Sequence, residues 1–139
     1  MSLPRFILAS ASPRRRDLLA QIGYTPDAIA AADLDETPQK SETARRYAAR
    51  LAEAKARACA ADGAISLGAD TVVAVGRRIL PKAETEGQAR FCLDLLSGRA
   101  HHVYTAVALA TPDGVRSRLA EARVTFKRLS ATEIAAYLA

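Results

Sequence analysis

Five polar clusters in this 139-residue chain combine the side chains that handle phosphate. They are the run Ser10-Ala11-Ser12-Pro13-Arg14-Arg15-Arg16, the acidic stretch with Asp35 and Glu36, Lys55, Asp70 and Lys82. Arginine offers a planar fork that matches phosphate oxygens, and lysine a compact point charge. Carboxylates can hold a divalent cation or orient an attacking water. Asp70 is the sharpest of these residues, because it lies among Ile65, Leu67, Val72, Val73 and Val75. An unpaired carboxylate buried there would be very costly, so it needs a cation, a hydrogen-bond network or a catalytic role. The alternative is a structural aspartate turning a bulge at Asp70-Thr71. Glu36, Lys55 and Lys82 taken singly read equally well as solvated charge. His101 and His102 are adjacent, which on a strand sends them to opposite faces and argues against a shared metal. The P-loop, dinucleotide-fold, zincin and nucleophile-elbow signatures are all missing from the sequence.

The arginine run follows the apolar stretch Phe6-Ile7-Leu8-Ala9. This pattern predicts a strand, a tight turn and a helix, with Ser12 at the N-cap, Pro13 at the first helical position and Gly23 just past the end. Leu18, Leu19 and Ile22 form its apolar stripe. A helix N-terminus carries about half a positive charge and prefers acidic neighbours. Here three arginines crowd the first turn with only Asp17 to offset them, which points to an anion seated on the helix end. A solvated basic end with no ligand is the plain alternative.

Further elements must position the other clusters. Residues 27–32 read as a short second strand leading into the acidic loop at 33–38. A helix over residues 41–61 is expected to bury Tyr47, Leu51, Ala54 and Ala58. Residues 65–75 form the most strand-like run, bent at Gly68, and Gly76-Arg77 turns it back into Ile79 and Leu80. Thr85-x-x-Gln88 and Ser130-x-x-Glu133 are capping boxes that open two further helices. Between them, residues 101–110 and 115–126 make a strand pair joined at Pro112-Asp113-Gly114.

The length suits one domain. With 20 basic and 15 acidic residues the net charge is +5, which favours anionic partners. The basic groups are bunched rather than striped and lack interleaved aromatics, which argues against nucleic acid. Neither a membrane-spanning run nor a signal-peptide pattern is present, and Cys59 and Cys92 lack metal or disulfide spacing, so a reducing cytoplasm and buried thiols are expected.

Several segments taken in order resemble the Maf family of nucleotide pyrophosphatases: Leu8-Ala9-Ser10-Ala11-Ser12-Pro13-Arg14-Arg15, Asp35-Glu36, Arg50-Leu51-Ala52-Glu53-Ala54-Lys55, Gly68-Ala69-Asp70-Thr71-Val72-Val73, Leu80-Pro81-Lys82, and Leu96-Ser97-Gly98 with His101, Val103 and Thr105. The resemblance spans nearly the whole chain. It implies an α/β fold with a mixed twisted sheet, flanking helices and a central cleft, similar to the inosine triphosphate pyrophosphatases. It also implies hydrolysis of nucleoside triphosphates to monophosphate and pyrophosphate with Mg²⁺ or Mn²⁺, in nucleotide-pool housekeeping. The Ser-Pro-Arg-Arg and Gly-Ala-Asp-Thr forms are similar to the branch acting on dTTP, UTP and modified pyrimidine nucleotides. By that resemblance Ser10, Arg14, Arg15, Lys55 and Lys82 bind the triphosphate. Glu36 and Asp70 hold the metal, Asp70 is the general base, and the protein is a homodimer. Family members carry Pro where Ala83 stands, and they continue past the position of Leu138 with a glycine-rich segment and a site glutamine. The expectation is therefore a domain over residues 1–139 that is shortened at its C-terminus. The second reading is a non-catalytic nucleotide-binding or cell-division-regulating protein.

Overall fold

A computed structural model describes residues 4–10, 12–31, 33–61 and 63–139. Ala11 in the arginine turn and Ala32 at the end of the expected second strand lie outside the described residues. The elements in chain order are β1 (Arg5–Ala9), α1 (Pro13–Gln21), β2 (Ala28–Ile29), α2 (Ala44–Ala58), β3 (Ala64–Val75), β4 (Arg78–Ile79), α3 (Glu86–Leu96), β5 (Ala100–Thr111), β6 (Gly114–Thr125) and α4 (Ala131–Leu138). They make the expected α/β fold with one mixed sheet, ordered β2-β1-β3-β5-β6, with β4 paired on β3. β1 runs parallel to β2 and β3, while β3, β5 and β6 are antiparallel neighbours.

β3 sits at the centre and its alternation sets the two faces of the sheet. Ser66, Gly68, Asp70, Val72 and Ala74 are buried, and between them Leu67, Thr71, Val73 and Val75 are more open. The buried face packs on α2. The contact is made of small residues: Ala48, Ala52 and Ala56 of α2 against Val72, Ala106, Ala108 and Ala110. Gly68 marks the closest approach, since a Cβ there would lie 2.3 Å from the Ala52 carbonyl oxygen and 2.6 Å from the Ala56 nitrogen. β3 pairs with β5 without interruption through Gly68, and the glycine serves helix–sheet contact. The same unbroken pairing excludes a bulge at Asp70-Thr71.

The α2 stripe also differs from the expected one. Ala48, Leu51, Ala52 and Ala56 are buried, whereas Ala58 is exposed. Close packing selects the smallest side chains for the seam, and a hydrophobicity pattern weights large ones instead. On α1 the expected apolar stripe is wet, with Leu18 53% and Ile22 68% exposed, and no residue of that helix is buried. β2 is reduced to two residues. Both capping boxes form as expected, on α3 and α4. Gly23 adopts φ +87° and closes α1, with the Tyr24 N–H bonded to the Leu19 carbonyl. Cys59 and Cys92 are free, as expected, but only part-buried.

Candidate active site

β1 stops at Ala9, opposite Gly68. β3 runs on past it, so the turn after β1 lies beside Asp70 and Thr71. That offset assembles the site. Alternation then sends Asp70 to the α2 side and Thr71 to the α1 side, and each meets a basic residue from the helix it faces.

On the α2 side, Lys55 Nζ lies 2.9 Å from Asp70 Oδ1 and 3.1 Å from Glu36 Oε1. Lys82 Nζ, arriving just after β4, lies 3.4 Å from the same Glu36 oxygen and 3.8 Å from the same Asp70 oxygen. Asp70 is 1% exposed and Lys82 62% exposed at its side chain, so the cluster runs from the interior out to solvent. Burial acts to raise the Glu36 pKa, but the hydrogen bond and charge of Lys55, with Lys82 behind it, outweigh that and hold the carboxyl below its usual range. Each acid gives one oxygen to the lysines. Among the described residues nothing donates to Asp70 Oδ2 or Glu36 Oε2.

On the α1 side, Ser10 Oγ accepts from the Ser12 N–H at 3.1 Å and from Arg15 Nη1 at 3.4 Å. Arg15 Nη2 reaches Thr71 Oγ1 at 3.5 Å, and Thr71 is 3.1 Å from Thr105 Oγ1. Ser12 is the N-cap residue of α1, but its hydroxyl makes no capping bond, and the first turn has no acidic residue. The helix end therefore remains open to an anion. Arg14 is exposed and forms no ion pair with a described residue.

A cleft of about 470 Å³ opens onto this cluster, lined by Glu36, Tyr47, Asp70, Thr71, Lys82 and Gln88 among others. The structure thus brings Glu36, Lys55, Asp70 and Lys82 into mutual contact. Ser10 and Arg15 lie on the other face of β3, tied to Thr71, the chain neighbour of Asp70, and Arg14 stands apart. Sequence reasoning missed Thr71 as the partner of Arg15, although strand alternation beside Asp70 would have placed it on that face. It also missed the fastening of the acidic loop, in which Tyr47 and Arg50 take part. Asp35 caps its own loop, accepting from the Thr37 N–H. His101 and His102 face opposite sides, as expected; His101 is 4% exposed against Phe126, and His102 faces Glu121.

Two converging carboxylates fit a hard divalent ion, which takes oxygen ligands and, for Mg²⁺, commonly one or two carboxylates with substrate phosphates. Among the described residues, no cluster of three or more His, Cys, Asp or Glu forms a fuller cage. No described helix is long and apolar enough to cross a membrane.

The family profile described as "Maf-like protein" matches residues 5–139. A dTTP/UTP pyrophosphatase of Caulobacter vibrioides is 61% identical over 139 residues, covering 98% of this chain and 72% of that protein. Proteins of the same name from Novosphingobium aromaticivorans and Bradyrhizobium diazoefficiens are each 56% identical, and this chain covers 69% of each. The solved Ham1 protein of Staphylococcus aureus superposes with a TM-score of 0.52 at 16% identity, over 86% of this chain and 69% of that one, a likeness of fold.

Proposed function

This chain belongs to the Maf-like protein family, and on that premise we propose that it hydrolyses nucleoside triphosphates to monophosphate and pyrophosphate. The observation that carries the reading is the mutual contact of Glu36, Lys55, Asp70 and Lys82 in one charge cluster, three of whose members line a cleft. Relatives named dTTP/UTP pyrophosphatase favour pyrimidine substrates, with modified pyrimidines in the same class.

In this reading Lys82, Lys55 and Arg15 neutralise the triphosphate oxygens, and Arg14 and the open end of α1 take the remaining charge. Asp70 Oδ2, without a donor among the described residues, accepts the proton of a water that attacks the α-phosphorus. The bond from the α-phosphorus to the bridging oxygen breaks, and pyrophosphate leaves with the electron pair. Glu36 and Asp70 would hold Mg²⁺ or Mn²⁺, which supplies charge stabilisation at the phosphates. The reading extends to a cytoplasmic homodimer acting on free nucleotides and not on nucleic acid.

Incubation with dTTP, UTP and each metal, followed by product separation, tests it. Pyrophosphate and monophosphate are expected. Orthophosphate would overturn the assigned bond, and binding without turnover would select a nucleotide-binding or division-regulating role.

A further inference from the structure

The charge cluster is complete without any ligand. Glu36 and Asp70 contribute two negative charges, and Lys55 and Lys82 two positive ones. Lys55 Nζ stands between Asp70 Oδ1 and Glu36 Oε1 at 2.9 and 3.1 Å. That is where a cation bridging both acids would stand. An ammonium group in direct contact with both carboxylates repels a divalent ion arriving alone, strongly so where water is partly excluded. An ion bridging the same two oxygens would also have to displace Lys55 from Asp70, a nearly fully buried acid.

A bare triphosphate is opposed in the same way, because the two carboxylates face it. Only the two together match the site. The phosphate oxygens give Lys55 and Lys82 new partners, the carboxylates are released to the metal, and the metal's remaining positions fall to phosphate oxygens. We propose that Lys55 and Lys82 act as resident counter-ions that keep the divalent metal out until the triphosphate is present. Metal and nucleotide therefore bind as a strongly coupled pair. The proposal rests on the triphosphate reading above, and because it concerns binding, it can fail independently of the bond cleaved.

Equilibrium dialysis of the full chain against Mn²⁺, with and without the non-hydrolysable α,β-methylene analogue of dTTP in both chambers, measures the coupling directly. The analogue should tighten Mn²⁺ binding by the protein at least about tenfold, within the usual range of coupling between two ligands. In Lys82→Gln, where the lysine is largely exposed and the fold is not at risk, Mn²⁺ alone should bind more tightly than in the parent. Lys55→Gln should show a larger gain. Equal Mn²⁺ affinity with and without the analogue would overturn the proposal. So would a Lys82→Gln protein with parental metal affinity. Product analysis remains a separate readout: orthophosphate release alongside coupled binding would sink the bond assignment and leave the counter-ion role standing.

Discussion

The Tyr47 hydroxyl donates to the backbone carbonyl of Glu36, fastening an irregular loop to the first turn of α2. Arg50 backs this contact. Its guanidinium lies 5.6 Å from the Tyr47 ring centre, donates to the Thr37 carbonyl at 3.3 Å, and grips Glu42 at 2.6 and 2.9 Å. The loop has no strand or helix of its own, so these bonds set where the Glu36 carboxylate stands. Tyr47→Phe keeps the ring and removes the tie. A single hydrogen bond contributes about 1 kcal/mol net, so stability should fall modestly. Turnover should fall about tenfold, equivalent to about 1.4 kcal/mol in the barrier. Parental kcat in this variant would mean the loop is held by other contacts.

Asp70→Asn preserves shape while removing the proton acceptor and a metal ligand. Turnover should drop at least about 10²-fold. Binding of the triphosphate, measured by calorimetry, should persist, since the lysines and arginines remain. A variant that turns over normally would take the general-base role away from Asp70.

The two arginines of the α1 turn should separate. Arg15 is tied to Ser10 and Thr71, and Arg14 is not. Phosphate, sulfate or pyrophosphate should raise the melting temperature of the parent more than chloride at equal ionic strength, by binding the folded state at the open helix end. Arg14→Glu should abolish that anion gain without lowering the baseline, because an acid suits a helix N-terminus. Arg15→Ala should lower the baseline and weaken triphosphate binding together. An equal anion shift in Arg14→Glu would remove this arginine from the site.

Much of the fold is legible from local chemistry. Thr85 and Gln88, Ser130 and Glu133, and Gly23 declare helix ends because capping depends on a few adjacent residues. The charge cluster is legible as a set of residue types. The face of α2 is not, because its seam of alanines forms where the backbone of Gly68 comes close, a tertiary fact with no periodic signal of its own. Nor is the wet stripe on α1, since Leu18 and Ile22 obey helical spacing whether or not anything covers them. The role of Tyr47 escapes for a related reason: its partner is a backbone carbonyl, and a carbonyl carries no sequence identity.

Acid should unfold the protein through identifiable groups. The hydrogen bonds from Arg50 hold Glu42 below the usual carboxylate range against the opposing effect of burial. A carboxylate depressed in the folded state adds stability above its unfolded pKa, and that contribution is lost as pH falls through the lower folded value. Burial, with the charge of His102 second, pushes His101 down, so its unfolded form takes up a proton first and stability begins to fall below about pH 6.5. Melting temperature followed by circular dichroism at fixed ionic strength should therefore decline in two stages. Glu42→Gln should flatten only the lower stage, below about pH 4.5. A parental profile in that variant would assign the acid loss to other carboxylates.

Gly68 and the alanines opposite it act as a thickness gauge. With a bare glycine and alanine methyl groups at the point of closest approach, the reach from Lys55 to Asp70 is set by how closely two backbones can approach. Gly68→Ala should cost about 3 kcal/mol or more, because the added methyl meets backbone atoms that cannot swing aside. In a milder enlargement such as Ala52→Val, α2 would ride up from the sheet and lift the ammonium off its acid, so activity should be lost faster than stability. Larger apolar residues strengthen a core where they fill a void, but here they would find none and would misalign the chemistry. This layer is consequently closed to the usual route of thermal improvement, and selection for heat resistance should find its gains elsewhere in the molecule.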